Sequence, residues 1–144
     1  MNTFLPYPSF VDSARVLDRQ RLGKQRVEVL QLLRALTGET RGWATHPAAR
    51  MWRGYEAELA MYGLCVCREW RRRGYKDTCL DKIEAVLGNL PNCPCPPWWG
   101  NPALHASHRA ALLYKDPAWY GQFCWDEAPA VPDAKGSLPY VWPI

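Results

Sequence analysis

Leu22, Val29, Leu33 and Leu36 follow one another at steps of seven, four and three residues. That spacing returns to one face of an α-helix, and no stretch of the chain makes a convincing half-buried strand. The spacing predicts a long first helix from about Ser13 to Leu36, stopped near Gly38. Ahead of it, Thr3 to Phe10 carries Pro6 and Pro8 and reads as an extended or turning arm. Thr37 to Pro47 reads as a loop. A second helix spans about Ala48 to Arg73 and ends at Gly74, with Met51, Trp52, Leu59, Tyr62 and Val66 as apolar positions. Gly54 and Gly63 lie inside it, each costing up to about 1 kcal/mol against Ala. A short helix over Thr78 to Leu87 follows, then an irregular Pro-rich segment from Asn89 to Pro102. A last helix runs from about Asn101 to Tyr114, before Asp116-Pro117, and the chain beyond Phe123 reads as an extended tail lying on the body. The expected class is all-α: a compact bundle of three main helices in a single domain over residues 1–144, with an N-terminal arm and a C-terminal tail.

With 144 residues, 48% hydrophobic and 22% charged, the chain suits one globular domain rather than two or a disordered segment. No run approaches the ~20 apolar residues of a membrane span. The opening MNTFLPYPSF lacks the basic start and apolar core of a secretory signal, so a cytoplasmic location is expected. Under that expectation the six cysteines are reduced thiols. Cys65/Cys67 and Cys93/Cys95 are C-x-C pairs without a following His at zinc-finger spacing, so no structural metal is expected.

Net charge is +4, and its distribution says more. Arg15, Arg19, Arg21, Lys24, Arg26 and Arg34 crowd the first helix, and Arg68, Arg71, Arg72, Arg73 and Lys76 crowd the end of the second. The chain from Asp116 onward is net acidic. One basic face suits a polyanion; solvated helix faces would give the same counts. On a helical wheel Arg21, Lys24, Glu28 and Gln31 share a stripe apart from the leucines. Glu28 then has two readings. It is an i, i+4 partner for Lys24, or it is an ionised acid in a DNA groove that moves protons or stabilises a cationic sugar.

The run Leu17 to Glu28 (LDRQRLGKQRVE) resembles the first helix of the pyrimidine dimer DNA glycosylases through Leu17, Gln20, Leu22 and Glu28. WRRRGYKDT over Trp70 to Thr78 is similar to that family's second-helix end, and DPAWY over Asp116 to Tyr120 to its C-terminal segment. HPAARMWRGYE, SHRAALLYKDP and the terminal YVWP resemble the family's bacterial and phage branch. The resemblance runs along nearly the whole chain.

It implies a bifunctional glycosylase and AP lyase on damaged double-stranded DNA, with no metal or organic cofactor. The chain-start amine attacks the sugar C1′, the base leaves, an imine forms and β-elimination nicks the strand, with Glu28 assisting. An α-amine suits this role, because at pH 7 it is roughly 300-fold richer in neutral form than a lysine. The family's nucleophile is the amine of a Thr exposed by removal of Met; with Asn at position 2 the role falls to Met1, or to Asn2 or Thr3 if the start is trimmed, or the lyase step is lost. Gln20, Arg21 and Lys24 would line the DNA face, with Arg71, Arg72, Arg73 and Lys76 on phosphates. Two positions depart from the family: Arg21 stands where it has His, and Val27 where it has Arg before the glutamate. Cyclobutane pyrimidine dimers are the default lesion, another modified pyrimidine the alternative, and a monomer is expected.

Four further groups complete the reading. His108, with Arg109 beside it and His105 three residues before, reads as a phosphate contact rather than a metal site. His46, before a proline, reads as a loop hydrogen-bonding residue. Trp119 and Tyr120 lie in the DNA-approaching segment, as contacts or as packing. Trp43, Trp52 and Trp70 read as core, whereas Trp98 and Trp99 read as core cover or as a base-stacking pair. A non-catalytic DNA-binding module is the competing function. A magnesium-dependent nuclease is disfavoured because no acidic cluster exists to hold the ion.

Overall fold

Asp18 divides what the hydrophobic period presents as one helix. A computed structural model describes residues 1–144, and in it Leu17 and Asp18 are both extended, with ψ of 135° and 161°. The Asp18 carboxylate accepts from the Arg21 N–H at 3.3 Å and caps a new helix. So helix α1 covers Phe10–Val16, and α2 covers Arg19–Leu36. The expected single helix from Ser13 is corrected: an aspartate side chain competes for the backbone at that point and wins.

The second expected helix is also two. Helix α3 (Pro47–Arg50) is one turn capped by His46, whose Nδ1 accepts from the Ala48 N–H at 3.0 Å. Gly54 then adopts φ +89°, a left-handed turn that ends the run and favours glycine. Helix α4 (Glu56–Arg72) follows. Helix α5 (Cys79–Leu87), α6 (Pro102–Lys115), the single turn α7 (Pro117–Tyr120) and a 3₁₀ turn over Gly121–Phe123 complete the all-α fold. The three long helices are α2, α4 and α6, and no helix is long and apolar enough to cross a membrane.

One cluster of 26 buried residues reaches from Leu5 to Tyr120. Leu22, Val29 and Leu33 of α2 meet Leu59, Tyr62 and Val66 of α4 in it. Gly63 is what lets the two helices approach: a Cβ there would lie 2.6 Å from Val29 Cγ1 and 3.0 Å from Ile83 Cδ1. Trp52 is fully buried as expected, but Trp43 is exposed and Trp70 half-buried. Trp98 is buried under the loop and Trp99 is exposed. All six cysteines are free thiols, and burial pushes Cys67 up to about 12.

The arm before α1 has almost no regular backbone partner, so side chains hold it. Gln25, buried on α2, donates from Nε2 to the Asn2 carbonyl (2.7 Å) and accepts at Oε1 from the Phe4 N–H (2.8 Å). The Leu5 N–H donates to His108 Nδ1, and His105 Nδ1 donates to the Leu5 carbonyl, each at 2.8 Å. Tyr62 donates to the Phe4 carbonyl, and Trp52 Nε1 to Thr3 Oγ1 (3.0 Å). Satisfying this backbone fixes the arm across α2, α4 and α6. The tail from Cys124 onward is irregular and is tied back by Ala130 N–H to the Ala110 carbonyl (2.9 Å) and Val141 N–H to Ser107 Oγ (3.1 Å).

Candidate active site

The clamped arm delivers the chain start to Glu28. The Asn2 backbone N–H donates to Glu28 Oε2 at 3.1 Å, and Lys24 Nζ lies 3.6 Å from Oε1. Both belong to a cleft of about 320 Å³ lined also by Met1, Arg21, Lys115 and Tyr140. Glu28 is buried, although the helical wheel puts it on a polar stripe. The arm and the tail cover that stripe, and neither leaves a trace in the period of α2.

The cleft is cationic, and most of its charges already have partners. Arg21 is held 3.2 Å from Asp18. Burial alone would raise the Asp18 carboxyl; bonds from Tyr120 and Arg21 outweigh it and hold it below its usual value. Lys24 pairs with Glu28 but stays largely exposed. Lys115 has no carboxylate within salt-bridge distance, and burial with repulsion from Arg21 and Lys24 lowers its pKa, against the pull of Glu28. Burial, and then the positive chain start, push the His46 pKa down, while Glu28 opposes.

A shallower groove adjoins the cleft through Gln20 and Lys24 and continues over Arg19, Gly23, Arg26 and Trp70. Arg26 lies 4.5 Å over the Trp70 ring and 2.5 Å from Asp77. A Cβ on Gly23 would meet Trp70 at 2.8 Å, so glycine is needed for this wall. Trp70 packs against Tyr75, 4.3 Å between centroids, which leads into the turn after α4. The result is one trough along α2 from the chain start to the basic turn.

The trough gathers Met1, Gln20, Arg21, Lys24 and Glu28 from the expected set. Others have different work. Arg73 donates to Glu69 at 2.8 Å and to the Arg15 carbonyl at 3.0 Å, tying α4 to α1. Arg71 pairs with Asp77 at 3.3 Å. Arg72 also holds Glu69, at 2.7 Å, but stays largely exposed, as does Lys76.

The phosphate reading of His108 is corrected. It is fully buried, accepts the Leu5 N–H, and burial followed by His105 pushes it down to about 3, so it is neutral. Arg109 is committed to Glu127 and to the Pro6 carbonyl (2.7 Å). Tyr120 is buried and bonds Asp18 at 2.5 Å, so it is packing rather than a contact surface. Trp119 is partly exposed while its Nε1 donates to the Val16 carbonyl at 2.7 Å. Gln25, Lys115 and Tyr140 were not read as site residues. Gln25 had a signal: it is a polar residue set between Leu22 and Val29 on the apolar face. Lys115 and Tyr140 had none of their own, since the tail reaches the cleft only in three dimensions.

An all-helical protein with a carboxylate at its chain start, in a basic trough, is built to act on a polyanion. Residues 1–83, which carry Met1, Glu28 and the whole of α4, match the family model for pyrimidine dimer DNA glycosylase. The chain belongs to that family. It is therefore a DNA glycosylase of DNA repair, and DNA is its substrate. No curated protein and no solved structure matches it. No group of three or more His, Cys, Asp or Glu side chains is arranged to hold a metal ion.

Proposed function

We propose that the chain, acting as a monomer and as one domain over residues 1–144, excises damaged pyrimidines from double-stranded DNA. The default lesion is the cyclobutane pyrimidine dimer. Strand nicking follows through an imine at the chain-start amine, with Glu28 as the proton carrier and no metal or organic cofactor. The observation that carries this is the 3.1 Å bond between the Asn2 nitrogen and Glu28. It places the backbone next to the first amine against the one acid of a cationic cleft.

The chemistry uses one carboxylate repeatedly. The amine bonds to C1′ while the C1′–N1 bond breaks and its electron pair leaves with the base. Glu28 takes the proton that the amine sheds and returns it to the sugar ring oxygen as the ring opens, leaving an imine between nitrogen and C1′. Again a carboxylate, Glu28 removes a C2′ proton, and the 3′-phosphate departs by β-elimination. Gln20, Arg21 and Lys24 hold the backbone at the lesion, and Arg72 and Lys76 hold phosphates further along the trough. Extruding a nucleotide from a bent duplex gives access to C1′.

Two nitrogens compete for the nucleophile. The Met1 amine has no carboxylate within 4.0 Å, whereas the Asn2 nitrogen has Glu28 at 3.1 Å. Removal of Met1 would turn that amide into a primary amine already on Glu28, so the same contact favours Asn2 as a second reading.

The test is borohydride trapping on DNA with a UV dimer or an abasic site, in EDTA, followed by peptide mass analysis. An adduct on a peptide starting at Met1 or at Asn2 supports the reading and names the nitrogen. Binding without adduct or nicking supports the non-catalytic alternative, and cutting that EDTA abolishes supports a metal nuclease.

A further inference from the structure

The C-terminal tail brings a phenol into the cleft that the steps above leave unused. Tyr140 lines the cleft with Glu28 and Lys115. Its ring is held edge-on by Phe4 at 6.5 Å, His108 at 5.8 Å and Trp142 at 5.6 Å between centroids. Its neighbour Val141 is pinned to Ser107 on α6. The ring is therefore fixed by the same histidine that clamps the arm.

The Tyr140 hydroxyl has no hydrogen-bond partner in the protein and is not sealed off from the cleft that the residue lines. Its O–H is therefore free to donate into the cleft. Burial raises the phenol's pKa and the nearby Glu28 charge adds to this, with Arg21 opposing, so it stays protonated.

We propose that Tyr140 is a catalytic residue of base release, donating a hydrogen bond to the O2 carbonyl of the departing pyrimidine; this rests on the glycosylase chemistry proposed above. When the C1′–N1 bond breaks, its electron pair spreads over N1 and O2 of the base. A fixed donor at O2 stabilises that developing charge, and the base takes its proton from water after release. Glu28 at the sugar and Tyr140 at the base then serve the two opposite charges of one bond cleavage. The donor matters only while a base is attached. An abasic sugar has no O2 to receive it.

Tyr140→Phe keeps the ring and deletes the hydroxyl, and single-turnover assays on the full chain separate the steps. The ratio of C1′–N1 cleavage in dimer DNA, read after photoreversal frees the base still tethered to its neighbour, to nicking of preformed abasic DNA should fall about 100-fold, the usual cost of one such donor. 3-Fluorotyrosine at position 140, a stronger donor of nearly the same size, should raise that ratio above wild type and guards against a folding defect. Equal loss in both assays, loss of nicking alone, or no loss in Y140F overturns the role of Tyr140. A wild-type protein that neither cleaves C1′–N1 nor nicks overturns the glycosylase–lyase reading instead.

Discussion

The backbone nitrogen of Asn2 sits 3.1 Å from Glu28 Oε2, held there by Gln25 at one side and by the arm's bonds to α4 and α6 at the other. Whatever is attached to that nitrogen occupies the cleft. A chain extended by a few residues ahead of Met1 carries peptide there instead of an amine. We expect borohydride trapping and nicking to fall at least 100-fold in such an extended protein, while DNA affinity stays within a few-fold. Full trapping by the extended protein would show that another amine, with Lys115 the first candidate, is the nucleophile.

Glu28→Gln keeps the shape of the side chain and removes its charge and proton traffic. Nicking of abasic DNA should fall at least 100-fold, in the range typical of a lost general acid or base. Duplex affinity should rise slightly, because the trough loses its one central anion. Nicking by E28Q at the wild-type rate would remove the glutamate from the mechanism.

Gln25 carries both edges of the arm on one amide. Gln25→Leu leaves the Asn2 carbonyl and Phe4 N–H without partners, at about 1–3 kcal/mol for each group that stays buried. We expect a stability loss of about 2–4 kcal/mol by urea denaturation, and protease cleavage within residues 1–6 well before the helices. An arm as protected as in wild type would show that the histidines and Trp52 suffice.

How much of this was legible follows from the range over which each signal acts. The α2 stripe, the termini of α5 and α6, and the pairing of Glu28 with Lys24 on α2 were all readable, because periodicity and motif spacing are local. The breaks at Asp18 and Gly54 were missed because one capping side chain or one left-handed residue outweighs a hydrophobic period that continues through it. The arm was read as extended, but its clamp was not. Its partners lie 21 to 103 residues away, and side chain–backbone bonds have no sequence period. His108 was misread as a surface cation although a signal existed: it lies between Leu104 and Leu112 at steps of four, on the buried face of α6.

Gly63 tests the packing that brings α2 and α4 together. An added Cβ would stand 2.6 Å from Val29 Cγ1, closer than real carbons approach. Gly63→Ala gains helix propensity of up to about 1 kcal/mol, but overpacking a rigid core costs about 1–3 kcal/mol. A net loss of about 1–2 kcal/mol is expected by urea denaturation. A stabilised G63A would mean that Val29 and Ile83 move aside freely.

His108 gives the fold a pH dependence of defined sign. Its folded value is about 3, against about 6.5 in an unfolded chain. As pH falls through 6.5 the unfolded chain takes up a proton that the folded protein refuses, so stability is full above that value and declines below it. Between pH 7 and pH 5 the loss from this residue is about 2 kcal/mol. His105 and His46, also pushed down, act in the same direction. The lowered carboxyls of Asp18, Glu69 and Asp77 begin to matter only nearer pH 4. Urea denaturation at the two pH values should show the loss in wild type and less of it in His108→Gln, whose amide oxygen can still accept the Leu5 N–H. Because His108 also holds the arm at Leu5, the acid-weakened clamp should release the chain start before the helices melt. Protease cleavage within residues 1–6 would then rise with acid ahead of the loss of helical circular dichroism. If the two changed together, the arm and the bundle would be one cooperative unit and the clamp would have no separate transition.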